Sequence, residues 1–177
     1  LHAFAYLSNV LAPVWNMPAL EGKILKRQGG PFYPELQRDL DRLVGMRLVL
    51  ITRVRHVQDQ DGKWRLEGRY QLNYDLAHSA VECLRSLPGE RGLRLFIDEL
   101  GYALSALADS ELEAALVEDA TYSDPVVSEN NVVDFAEWAK RNPSVNAANY
   151  FGKLVPERSP ATPGEKLHLY VRHLRRR

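Results

Sequence analysis

Apolar positions along the first half of the chain change period several times, and each change predicts a new element. His2–Trp15 sets Phe4, Leu7, Leu11 and then Val14 or Trp15 on one face, the spacing of an amphipathic helix whose end Pro13 kinks. Leu20–Arg27 predicts a second short helix with Leu20, Ile24 and Leu25 inward. Gly29-Gly30-Pro31 then breaks the chain, because glycine permits φ > 0 and proline cannot continue a hydrogen-bond ladder. Pro34 suits the first turn of a third helix, with Glu35 beside its positive end and Leu36, Leu40, Leu43 and Val44 on one face up to Gly45. Leu48, Val49, Leu50, Ile51 and Val54 read as a strand. Asp59-Gln60-Asp61-Gly62 is hairpin-turn chemistry, and Trp64, Leu66, Tyr70 and Leu72 alternate on the returning strand. Helix, helix, turn, helix, strand and wing together predict a winged helix-turn-helix over residues 1–75.

Helical periods dominate the second half. Leu72–Leu87 carries Leu76, Ala80, Cys83, Leu84 and Leu87 on one stripe, expected to face inward, and Pro88-Gly89 ends it. Gly92–Leu107 repeats the pattern through Leu93, Phe96, Ile97, Leu100, Leu104 and Leu107. Ser110 reads as the N-cap of Glu111–Glu118, with Glu113 completing a capping box and Leu112, Leu116 and Val117 inward. A polar loop over Thr121–Asn131 precedes a short helix over Val132–Lys140 that carries Phe135 and Trp138. Asn142-Pro143-Ser144 caps a helix over Val145–Leu154, and the prolines of Pro156–Gly164 mark a linker. The predicted class is therefore α+β and mostly helical: a winged helix-turn-helix followed by a helical region. Its expected divisions are 1–75, an acidic helical region over 76–156, and a linker with a basic segment over 157–177.

Net charge is zero but unevenly spread, with +3 over residues 1–75, −8 over 76–157 and +5 over 158–177. That pattern predicts surfaces that meet different partners. The single cysteine, Cys83, allows no internal disulfide and fits a cytoplasmic protein, and Val81 and Leu84 beside it predict a buried thiol. No apolar run has the length of a membrane span. None of His2, His56, His78, His168 and His173 has zinc-ligand spacing, and GxxxxGKT, GxGxxG and GxSxG are missing. The expectation is a protein without catalytic residues, cofactor or metal.

Helix 34–44 would be the reading head of a helix-turn-helix, yet Glu35, Asp39 and Asp41 outnumber Arg38 and Arg42. Carboxylates beside phosphates oppose the counterion release that drives DNA binding. The wing suits nucleic acid better, and Arg53, Arg55, Lys63, Arg65 and Arg69 are its candidate contacts, for non-specific backbone binding. Candidate protein contacts are Tyr33, Glu35, Arg38 and Arg42 at the start of helix 34–44, and Asp119, Tyr122 and Asp124 in the acidic loop.

The segment GGPFYPELQRDLDRLVGMRLV resembles the GPF-x-PEL segment of the middle components of ABC-type three-component defence systems, to which Lamassu-type antiphage loci are related. The later VEDATYSDPVVSENNVVDFAEWAKRNPSVNAANYF is similar to the acidic helix–loop–helix of the same family, and Panacea-type antitoxin domains share a similar GPF/PEL pattern. The first resemblance implies a non-enzymatic adaptor joining an effector, such as a nuclease or other toxin, to an SMC-like ATPase, with non-specific DNA contact within the complex. A winged-helix DNA-binding regulator and an antitoxin that binds its toxin directly are the competing expectations. The basic tail RHLRRR lies outside the resemblance.

Overall fold

The structure is a computed structural model that describes the chain except residues 21, 28–29, 59–61, 63, 127–130, 136–140, 155–159 and 176–177. The class is α+β with mostly helical content, as the periodicities predict. Two compact units divide the chain: a larger one of Leu1–Phe32 with Gly92–Arg177, and a smaller one of Tyr33–Arg91.

The larger unit is built on α1 (His2–Leu11), which continues as a 3-10 turn over Ala12–Trp15. Tyr6 through Leu11 are all buried, so this helix is enclosed rather than half-wet. Its buried polar side chains, Ser8 and Asn9, both donate back to the Ala5 carbonyl, at 2.8 and 2.9 Å. Where a second helix is expected, β1 (Lys23–Arg27) forms instead, antiparallel to β2 (Gly30–Phe32). The spacing of Leu20, Ile24 and Leu25 is too short to separate the two periods, and two features, one near and one distant in the chain, favour the strand. One is Gly30 at φ 108°, a backbone open to glycine. The other is β5 (Val132–Asp134), which pairs Val133 with Ile24 more than a hundred residues away. The expected helix over Val132–Lys140 is likewise a strand at its start, and Trp138 lies outside the described residues.

Among the described residues this unit has four further helices: α4 (Arg91–Leu104, all but its first residue), α5 (Asp109–Glu118), α6 (Pro143–Lys153) and α7 (Pro163–Arg175). Within the expected cap Asn142-Pro143-Ser144, the residue that caps α6 is Asn142, its side chain accepting the Val145 N–H at 3.0 Å. Helix α5 starts earlier than predicted, with the Glu111 carboxylate accepting the Ala108 N–H at 2.7 Å, and Val117 is exposed rather than inward. The C-terminal segment, expected to lie apart, is core. Thr162 and Glu165 make a reciprocal capping box that starts α7 inside the expected linker, and Leu167, Tyr170, Val171 and Leu174 are buried. These four recur at i, i+3, i+4 and i+7, which is why a short basic segment joins the core.

In the smaller unit, α2 (Pro34–Gly45) leads to the hairpin β3 (Val49–Gln58) and β4 (Trp64–Leu72), then α3 (Tyr74–Ser86). The helix ends at Gly45, as expected, and the left-handed residue that closes it comes two residues later. Arg47 takes φ 61°, while its N–H bonds Val44 O and the Leu48 N–H bonds Leu43 O, a Schellman closure. Asn73 clamps this turn to the end of β4, its side chain donating to Arg47 O at 2.9 Å.

Candidate functional site

Pairing in the hairpin runs Val49 to Leu72, Leu50 to Gln71 and Ile51 to Tyr70. After an irregularity at Thr52 it resumes with Arg53 to Arg69 and continues to Gln58 opposite Trp64. Because alternate residues share a face, the extra residue resets the phase of β3 so that two chemically distinct faces result. Val49, Ile51, Val54, Leu66, Tyr70, Leu72 and Trp64 occupy one face, with His56, Gln58 and Gly68 between them. The Tyr70 ring lies over Gly68, where an added Cβ would meet it at 2.8 Å. Arg53, Arg55, Arg65, Glu67 and Arg69 occupy the other face, with Leu50 and Val57 at its two ends.

The apolar face is uncovered. Trp64 is 69 % exposed, Leu66 64 % and Val54 53 %, and Ile51, Tyr70 and Leu72 are exposed as well. The stripe on α3 is equally open: Leu76, Leu84 and Leu87 are exposed, as is Cys83, against the expected inward packing and buried thiol. Among the described hydrophobic residues of this unit only Tyr33, Leu40 and Ala77 are buried. Single exposed apolar residues are ordinary, but a contiguous apolar sheet face marks a contact surface.

The polar face is held by one carboxylate. Glu67 receives Arg55 at 2.7 Å and Arg65 at 3.0 Å, and the hydrogen bond from Arg55 keeps its carboxyl below the usual range. On α2, Arg38 pairs with Glu35 at 2.6 Å and Arg42 with Asp39 at 2.9 Å, so the cations of this exposed helix are matched within it. Lys63 lies outside the described residues.

The loop candidates are placed differently. Asp119 is fully buried and is the hub of the larger unit. Its Oδ1 accepts the Tyr6 hydroxyl at 2.6 Å and the Thr121 and Tyr122 N–H groups at 3.1 and 3.0 Å. Its Oδ2 accepts Ser144 at 2.8 Å and Tyr170 at 2.7 Å. Burial, with the Asp119 charge beside it, pushes the Tyr170 phenol well above its ordinary value. Thr121 and Asn142 extend the network to Val10 O. Tyr122 is buried too, edge-on to Tyr6 at 5.3 Å and under Lys26, whose Nζ lies 5.0 Å from the ring centre. A buried carboxylate with five donors and no exposure fixes the packing of α1, α5, α6 and α7, leaving it no open side for chemistry. Asp124 accepts the Val126 N–H at 2.9 Å and lines a shallow cleft of about 380 Å³ with Glu118, Tyr170 and His173.

Among the described residues no cluster of three or more His, Cys, Asp or Glu side chains is placed to hold a metal, and no helix is long and apolar enough to cross a membrane. The residues that dominate the surface, Ile51, Val54, Trp64 and Leu66, were legible in the sequence only as a strand pattern. Nothing in that pattern says whether the face is covered. No family model, curated protein or solved structure matches the chain.

Proposed function

We propose that this chain is a non-enzymatic adaptor whose β3–β4 hairpin docks a protein partner through its apolar face. The observation that carries the reading is that face itself: Ile51, Val54, Trp64, Leu66, Tyr70 and Leu72 on one side of a sheet only two strands wide, all exposed. An isolated two-stranded sheet is marginal in water, and burying such a face favours association. Trp64 is the natural anchor, because large aromatic side chains dominate interface energies. Read with the GPF/PEL resemblance, α2 and the hairpin are the helix and wing of a winged helix. The partners are then an SMC-like ATPase and an effector of an antiphage complex, met in the cytoplasm.

Co-purification of the tagged chain expressed from its native operon tests this directly. The wild type is expected to bring down an ATPase and an effector in stoichiometric amounts, and Trp64→Ser with Leu66→Ser is expected to lose at least one of them while keeping the fold. Recovery of the bare protein, or of a complex indifferent to the double substitution, refutes the adaptor.

A further inference from the structure

On the opposite face of the same hairpin, Arg53 stands directly across from Arg69. Like charges in that position destabilise a hairpin unless something neutralises them. Arg55 and Arg65 share Glu67, but neither Arg53 nor Arg69 has an ion pair among the described residues. Four arginines therefore surround one carboxylate, and the pair left over points to an anionic ligand. We infer that this face binds the phosphate backbone of nucleic acid, with Arg53 and Arg69 as the contacting pair and no reading of bases.

Chemistry favours nucleic acid over an acidic protein. A protein interface needs an apolar centre with anchors. Here the apolar residues, Leu50 and Val57, sit at the two ends of the face, and the centre is guanidinium. Phosphate contact needs only positioned cations, and arginine's planar fork meets phosphate oxygens in pairs. Glu67 restrains the site, because it occupies the two arginines that would otherwise extend it. This goes beyond the adaptor reading and does not depend on it, since the docking residues lie on the other face.

The test uses the full chain and a fluorescent DNA duplex of arbitrary sequence, with anisotropy followed as salt rises tenfold from a low starting concentration. Two contacted phosphates predict a slope of log K against log salt of about −2, roughly a 60-fold loss over that range. Arg53→Ala with Arg69→Ala is expected to flatten the slope nearly to zero. Glu67→Gln is expected to steepen it towards about −4, because two more arginines are released. Arg38→Ala with Arg42→Ala, on α2, is expected to change nothing. The inference is overturned by no binding at the lowest salt, by binding that survives loss of Arg53 and Arg69, or by Glu67→Gln weakening it. Binding to anionic lipid vesicles in place of the duplex overturns it too.

Discussion

Replacing Asp119 with alanine separates a core role for this residue from a contact role. The carboxylate receives five donors in a fully buried position. Two of them have alternatives: Ser144 lies 2.7 Å from Thr121 Oγ1, and the Thr121 N–H also reaches Ser144 Oγ at 3.1 Å. Three bonds, from Tyr6, Tyr122 and Tyr170, lose their acceptor. Hydrogen bonds to a charged group contribute about 1.5 kcal/mol or more each, so the loss is on the order of 4–5 kcal/mol. That is a large part of the stability of an ordinary domain and corresponds to a fall in Tm of roughly 10 °C or more for a chain of this size. Urea unfolding followed by far-ultraviolet circular dichroism measures it. A loss below about 1 kcal/mol would refute the hub, since it would mean that the five donors find other acceptors at little cost.

Other perturbations reach the smaller unit. Leu76→Ser and Leu84→Ser lie on the exposed stripe of α3, so each should change the free energy of unfolding by less than about 0.5 kcal/mol, where an inward stripe would lose several times that. Arg47→Gly removes the strain of φ 61° at the end of α2 and should stabilise the protein by about 1 kcal/mol, read from the urea midpoint. Glu67 titrates in the folded hairpin below the ordinary carboxylate value of 4.5, because the Arg55 hydrogen bond favours its charged form. Its contribution is complete above that value and is lost as pH falls through the lower, folded one. Amide protection in β3 and β4, taken relative to the intrinsic exchange rate at each pH, should therefore fall on acidification in the wild type, and Glu67→Gln should blunt that fall.

What the sequence makes legible follows from range. Elements set by local period and turn chemistry are found nearly where the pattern puts them: α1, α2, the hairpin, α3, α4 and the Asn142 cap. The misassigned elements depend on distant partners. Ile24 and Leu25 suit a helix or a strand, and pairing with Val132 and Val133 decides for the strand. In α7 the spacing of Leu167, Tyr170, Val171 and Leu174 marks one helix face, but their burial depends on partners far away in the chain. Long-range contacts also make the larger unit discontinuous, Leu1–Phe32 with Gly92–Arg177, joined across Tyr170, Asp119 and Tyr6. For the candidate surface, alternation locates the apolar residues. Whether they are covered is a property of everything else in the chain.

An uncovered hairpin also has an energetic consequence that binds the functional reading to a measurement. Two strands without a packed face open easily, so their amides should exchange quickly in the free protein. A partner that covers Ile51, Val54, Trp64 and Leu66 binds only the formed hairpin, and whatever binds the folded state alone stabilises it by mass action. At a partner concentration about a hundred times the dissociation constant this amounts to about 2.7 kcal/mol, or roughly a hundredfold slower exchange. In the purified complex, protection should therefore appear across Val49–Gln58 and Trp64–Leu72, while amides already held by the buried core around Asp119 should change little. A complex that forms and leaves hairpin exchange as it was would show that the partner is held elsewhere on the chain. The exposed apolar face would then need another occupant.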